Sequence, residues 1–429
     1  MATSAKMGTG SASLKAQVGA QAQAARQGAL RLASVPTAQK NQALEFLAGA
    51  LEREQAAILA ENRLDVEAAR KAGERPALID RLTLTEGRLL ALAASVREVV
   101  ASSDPIGEVT GRWPRPNGLR IVRQRVPIGV IAIIYESRPN VTVDASVLCL
   151  KAGNAVVLKG GSESLNSNRL LAALLAKSLG QAGLPGEAVQ FLDTTDHAAV
   201  SELVRLDGFV DLVIPRGSEE MIRRIREQAT VPVIGHGKGL CHVFVDRSAN
   251  LRMAEDIVFN AKVSRPGVCN AMECLLVHRD AAAAFLPAAA QRLAAAGVEL
   301  RGDEAARNLV ASMKPATDED FRTEYLDLIL SVKVVDGVDA AIEHINNYSS
   351  HLSEAIVSED RRAVKRFMDQ VDSAVVYHNA STRFTDGGEF GFGAEIGIST
   401  GRLHARGPMG LKELTSYKYL VYGQGQVRA

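Results

Sequence analysis

Pro127-Ile-Gly-Val-Ile-Ala-Ile-Ile-Tyr-Glu-Ser-Arg-Pro-Asn-Val-Thr-Val-Asp-Ala-Ser-Val-Leu-Cys-Leu-Lys-Ala-Gly-Asn-Ala-Val-Val-Leu-Lys159 decides how the chain folds. Val130–Tyr135 is a continuous apolar run rich in β-branched residues, short enough for a buried strand. Val143–Lys151 reads as a helix closed by Gly153, and Ala155–Lys159 as the next strand. A strand, a helix and a second strand within some thirty residues make a parallel crossover unit, buried on both faces.

The pattern repeats on both sides of this unit. Downstream, the spacing predicts a helix over Leu165–Leu179, a strand at Val189–Leu192, a helix end and strand over Leu206–Ile214, a helix over Glu219–Gln228 and a strand at Val231–Ile234. A second α/β stretch opens near Gly239, with strands at His242–Val245, Ala271–His278 and Ala374–His378 and a helix at Leu251–Ala261. Alternation of this kind predicts parallel sheets with helices on both faces. Upstream, residues 12 to 105 read as helices rich in Ala, Leu, Glu and Arg, broken at Pro36, near Gly73–Pro76 and at Asp104–Pro105. Gly118–Val126 and Ser416–Tyr422 alternate apolar with polar residues, as half-exposed strands that pair with each other. Exposed strand edges are normally covered, so a homo-oligomer is expected.

Composition narrows the class. The 429 residues are 47% hydrophobic and 23% charged, the balance of a globular protein of two or three domains. A net charge of +1 gives no basic footprint for nucleic acid. Four cysteines without a CxxC pair fit neither a disulfide scaffold nor a zinc ribbon, and point to a reducing compartment. No apolar run is long enough for a membrane helix. Met1 to Leu44 carries no acidic residue, which resembles a transit peptide; helical spacing from Leu30 to Leu51 favours an ordinary N-terminal helix after a low-complexity opening. A cytoplasmic location is expected.

The cysteines differ in setting. Cys149, Cys241 and Cys274 lie in apolar runs and read as buried small hydrophobes. Cys269 follows the turn Ser264-Arg-Pro-Gly267, where an accessible thiol beside Arg265 suits a nucleophile as well as a structural residue. Gly235-His-Gly-Lys-Gly239 misses the spacing of a dinucleotide fingerprint, and its glycines read as turn residues. Lys159, at a strand end before Gly160-Gly-Ser162, reads equally as a ligand contact or a solvated lysine. Asn140, taken alone, is a turn residue.

In combination these segments resemble the aldehyde dehydrogenase superfamily: the run from Pro127 to Asn140, Ala152–Lys159, Arg216-Gly-Ser218 and Cys269 stand in that family's order. Tyr135–Thr142, Ser264–Asn270, Glu395–Thr400 and Leu403–Gly410 are similar to its γ-glutamyl phosphate reductase branch, and the likeness covers the chain after about residue 12. The resemblance implies an NADP(H)-binding domain over 1–117 and 131–238, a catalytic domain over 239–401 and oligomerisation strands over 118–130 and 402–429. It implies Cys269 as nucleophile, with Asn140 and the Cys269 backbone N–H as the oxyanion hole. Lys159, Ser162, Gly217 and Ser218 would bind the cofactor, and Arg138, Arg265 and Asn270 the substrate; no metal is implied. Glu324 is a loose match to a residue facing the nicotinamide ribose.

Two departures from hydrolytic aldehyde dehydrogenases refine this expectation. Where those enzymes carry a water-activating glutamate, the stretch Val233-Ile-Gly-His-Gly-Lys238 has no carboxylate, so a thioester should survive to exchange with phosphate. Where NAD-preferring relatives carry an acid, Ser162 stands, which favours NADP(H). The implied activity is NADPH-dependent reduction of γ-glutamyl phosphate to glutamate-5-semialdehyde with release of phosphate, in proline biosynthesis. A separate glutamate 5-kinase is the implied transient partner. The competing readings are a hydrolytic dehydrogenase and a non-catalytic scaffold of the same fold.

Overall fold

The computed structural model describes residues 6–428; the first five residues of the low-complexity opening lie outside it. The chain forms two compact units. One runs through Gly235 and takes up Phe392–Gly397 and the segment from Met409 onward; the other comprises His236–Gly391 and Ile398–Pro408.

The first unit is built on a four-stranded parallel sheet in the order Val189–Phe191, Ala155–Lys159, Val130–Tyr135, Leu212–Arg216. Every residue of the two central strands is buried, so both faces are covered, as their unbroken apolar sequence requires. The helices Asn140–Lys151 and Leu165–Gln181 make the crossovers between adjacent strands. Three of the expected boundaries (Val130–Tyr135, Ala155–Lys159 and Glu219–Gln228) match residue for residue. The N-terminal helices end at Leu32, Lys71 and Ala101, at the expected breaks, with a further break at Glu54 that no glycine or proline announces.

The strand expected at Val231–Ile234 reduces to one parallel bridge between Val213 and Val233. Pro232 supplies only its carbonyl, to Val213 N–H, and the Val231 N–H turns to Val204 O instead, so the ladder stops after one rung. The two alternating segments do pair, Arg120–Pro127 with Thr415–Tyr422, antiparallel from Pro127↔Thr415 to Arg120↔Tyr422. A third strand, Val109–Pro114, joins the opposite edge of Arg120–Pro127, so this sheet has three strands rather than two. Tyr417, Tyr419, Val421 and Tyr422 stay about half exposed along its outer strand.

The second unit holds a seven-stranded, all-parallel sheet in the order Lys314–Pro315, Glu299–Gly302, Ile329–Val335, Met272–His278, Cys241–Val245, Ser353–Val357, Val375–His378. The helices Leu251–Val263 and Arg279–Ala295 pack on one face around Phe285, Val258 and Leu275. Val338–Tyr348 and Arg361–Gln370 pack on the other, where the rings of Phe244 and Phe367 stack 6.2 Å apart. Both sheets are thus parallel and covered on both sides, as the sequence pattern predicted. No helix among the described residues is long and apolar enough to cross a membrane.

Phe285 has no exposed surface and sits among aliphatic side chains of helix and sheet. Phe285→Ala should lower the unfolding free energy by about 3–5 kcal/mol, read from denaturant titration.

Candidate active site

In the first unit, three parallel strands end side by side, and the turns that leave them line a cleft of about 530 Å³. Carboxyl ends of parallel strands are where open α/β sheets take ligands. Lys159, Ser162 and Ser218 all line this cleft, and Gly217 lies in the turn beside it. Lys159 is nearly buried, and its ammonium donates to Gly160 O at 2.7 Å. Burial pushes its pKa down, against the opposing pull of Glu163 and Asp196. Ser218 caps the helix Glu219–Gln228 by accepting from Met221 N–H, while its own N–H donates to Glu136 Oε2 at 2.8 Å. A β-carbon on Gly217 would lie 2.5 Å from that same carboxylate oxygen, so a side chain there would push the Glu136 carboxylate aside.

Glu163, next to Ser162, is held by Ser137, whose N–H and hydroxyl both donate to Glu163 Oε1 at 2.5 and 2.7 Å. Ser137 has φ +43°, a left-handed conformation unusual for a residue with a side chain. Its two bonds to Glu163 hold that strained turn in place. The cleft also takes in His197 and Arg224, neither of which stood out in the sequence. Arg224 follows Ser218 by almost two helical turns, a placement visible only once the helix is seen to border the cleft.

Asn140 also lies in the first unit, as the first residue of a helix rather than a free turn residue. Its Nδ2 donates to Asp144 Oδ2 at 2.8 Å, one turn along the same face, which leaves one amide hydrogen. The exposed Arg138 lies in the loop just before it. Burial lifts the Asp144 carboxyl to about 6, against the lowering effects of the Asn140 bond and of Arg216.

The second unit carries Cys269 on the turn between the helix Leu251–Val263 and the strand Met272–His278, as expected. Cys269 is half-buried, whereas Cys149, Cys241 and Cys274 are buried. Two neighbours fix its backbone. Cys241 Sγ donates to Cys269 O at 3.3 Å, so Cys241 is a positioned hydrogen-bond donor and not merely a small hydrophobe. A β-carbon on Gly239 would lie 1.9 Å from Cys269 O and 2.5 Å from its Cα, so the two backbones approach as only glycine permits. The Gly239 N–H donates to Glu324 Oε1 at 2.8 Å, which brings the Glu324 carboxylate to the same backbone.

Arg265 is exposed at the start of the turn, while Asn270 is almost fully buried at its end. Asn270 Nδ2 donates to Thr385 O at 2.8 Å, its Oδ1 accepts from Arg383, and its carbonyl accepts from Thr382 Oγ1 at 2.8 Å. Its side chain therefore anchors the turn to the segment 382–385. Arg383 bonds Ser264 Oγ at 3.1 Å as well, tying both ends of the turn together. Burial and the neighbouring Arg265 hold the Arg383 pKa below its usual value, opposed by Cys269. Arg383 lies more than a hundred residues from Cys269 in sequence, and no local motif marked it.

The Asp144 shift sets the sign of a pH effect. A carboxyl whose folded pKa is raised favours the folded state below its unfolded value of 3.8, and that contribution is lost as pH rises through about 6. Asp144→Asn should therefore gain stability relative to the parent as pH rises from 4 to 6, and hold the gain above. Melting temperatures of the two proteins across that range give the comparison.

Residues 1–311 match the pattern of the Aldehyde dehydrogenase family. A protein of Caldanaerobacter subterraneus named Gamma-glutamyl phosphate reductase is 52% identical over 412 residues, covering 96% of this chain and 100% of the relative. One of the same name from Brucella anthropi is 50% identical over 429 residues, covering both chains completely. The crystal structure of Gamma-glutamyl phosphate reductase from Thermotoga maritima superposes with a TM-score of 0.95 at 48% identity, covering 96% of this chain and 100% of that one. A half-buried cysteine on a backbone-fixed turn, a lysine-bearing cleft at parallel strand ends and these full-length likenesses agree: the chain belongs to the γ-glutamyl phosphate reductases of the aldehyde dehydrogenase family.

Proposed function

We propose that the chain reduces γ-glutamyl phosphate to glutamate-5-semialdehyde with NADPH, releasing phosphate, as a step of proline biosynthesis. The observation that carries the reading is Cys269, half-buried on a turn that Gly239, Cys241, Asn270 and Arg383 hold in one conformation. The family likeness supplies the substrate.

In this mechanism the Cys269 thiolate attacks the acyl carbon of γ-glutamyl phosphate. The carbon–oxygen bond to phosphate breaks, phosphate leaves with the electron pair, and a thioester remains on Cys269. The nicotinamide cofactor supplies the hydride that reduces the thioester carbonyl. The resulting thiohemiacetal collapses, returning the thiolate and freeing the aldehyde. Negative charge grows on the same oxygen in both steps, and the amide hydrogen that Asn140 keeps free of Asp144 would stabilise it together with the Cys269 N–H. Arg138, Arg265 and Arg383 are the cations that suit the phosphate and the α-carboxylate, and Asn270 serves the substrate by holding the turn. The exposed outer strand Thr415–Tyr422 suits a homo-oligomer contact. A labile acyl phosphate suits delivery from a separate glutamate 5-kinase.

The residues of the cleft fit a nicotinamide dinucleotide. Lys159 and Ser162 would meet the adenosine ribose, and Gly217 and Ser218 at a helix start would meet the pyrophosphate. The neutral Ser162 and the cationic Arg224 favour a 2′-phosphate, and so NADP(H).

Three outcomes follow. NADP⁺ reduction by glutamate-5-semialdehyde should require inorganic phosphate and vanish in Cys269→Ala; full activity without phosphate would make the chain a hydrolytic dehydrogenase. Arg224→Ala should raise KM for NADPH about tenfold and leave KM for NADH nearly unchanged, since only the 2′-phosphate loses a charge-assisted partner. Gly239→Ala, which displaces the nucleophile's backbone, should cut kcat by about 10²-fold with an unchanged circular-dichroism spectrum.

A further inference from the structure

His242, Cys274 and His344 meet inside the second unit, between its sheet and the helix Val338–Tyr348, and none of them takes part in the chemistry above. All three are buried. His242 and Cys274 are register partners on adjacent strands, so their side chains leave the same face of the sheet. His344 reaches down from the helix, its Nε2 3.8 Å from Cys274 Sγ. One nitrogen from each imidazole and the sulfur all lie within 4.8 Å of one another.

The hydrogen bonds around this cluster leave one position unfilled. His242 Nδ1 lies 3.0 Å from Glu354 Oε2; the carboxylate can only accept, so Nδ1 carries the hydrogen. Glu354 is itself held by His242 N–H at 2.7 Å and Ser373 Oγ at 3.2 Å, and by Ser349 Oγ. His242 Nε2 is fully buried with no hydrogen-bond partner among the described residues, which native cores avoid. A carboxylate on the far nitrogen is the arrangement that orients metal-binding imidazoles and fixes their tautomer.

We infer that His242, Cys274 and His344 form a binding site for a borderline-soft divalent cation of the Zn²⁺ type, which joins the two central strands to the helix Val338–Tyr348. Sulfur and imidazole ligands select such an ion over Mg²⁺ or Ca²⁺, which take oxygen. Tetrahedral Zn²⁺ with bonds of about 2.0–2.3 Å holds its ligand atoms roughly 3.5 Å apart. The 3.8 Å separation is close to that value, and the widest gap of 4.8 Å must close by about 1 Å. On binding, the Cys274 thiol proton and any proton on a coordinating nitrogen leave to solvent, and no electron is transferred. Lys333 Nζ, 3.4 Å from His344 Nδ1, then turns outward along its half-exposed side chain so that Nδ1 can carry the hydrogen.

The test uses the full chain, stripped with a chelator and then dialysed against Co²⁺ or Zn²⁺. About one Co²⁺ per chain should remain, with a sulfur-to-cobalt charge-transfer band, and Zn²⁺ should raise the melting temperature. Cys274→Ala and His344→Gln should each lose the ion and the band, whereas Cys269→Ala should keep both. Glu354→Gln should weaken binding about 10–100-fold. Because the parent protein is read directly, misfolding of a core variant does not blur the answer. Retention of no ion by the parent overturns the proposal, as does a band that survives Cys274→Ala and disappears in Cys269→Ala.

Discussion

The backbones of Gly239 and Cys269 lie so close that no β-carbon fits between them. Much of the second unit follows from that contact. Gly239 leads into the strand Cys241–Val245 and Cys269 into the strand Met272–His278, and the two strands are neighbours in the parallel sheet. Their pairing therefore begins at the Cys269 turn, and the buried sheet behind it sets where the thiol stands. Cys241 extends the clamp through its bond to Cys269 O, and Asn270 and Arg383 close it from the far side. A thiol on a loop gains the precision of a core strand in this way.

Two carboxylates at the cleft of the first unit are engaged by neighbouring donors. Glu136 is occupied by Ser218 N–H and Glu163 by Ser137. Lysine, serine and arginine side chains line the cleft together with Glu74 and Glu220. The strain at Ser137 belongs to the same arrangement, because that turn brings two donors onto Glu163. The helix start at Ser218 and the lysine and arginine side chains suit a polyanionic ligand such as a dinucleotide phosphate.

The layered fold was legible because buried parallel strands leave unbroken apolar runs. Val130–Tyr135 and Ala155–Lys159 could be read to the residue for that reason. Val231–Ile234 has the same apolar character, but one proline removes the donor its ladder needs. Val109–Pro114 was missed because Gly111 and Pro114 mask its alternation, and only pairing with Arg120–Pro127 makes it a strand. At the candidate site, Cys269 and Lys159 could be picked out because turns and strand ends leave local marks. Arg383, Arg224 and the role of Gly239 could not, since each depends on a contact made far along the chain. Gly239 looked like part of a failed nucleotide motif, and its purpose is the close approach to Cys269.

The most direct test is to look for the covalent intermediate itself. The enzyme is incubated with glutamate-5-semialdehyde and NADP⁺ in phosphate-free buffer, quenched in acid, and its peptides are weighed by mass spectrometry. The account predicts one glutamyl group on the peptide that contains Cys269, lost when inorganic phosphate is added before the quench. Free glutamate with an unmodified Cys269 peptide, or a glutamyl group on another residue, would contradict it.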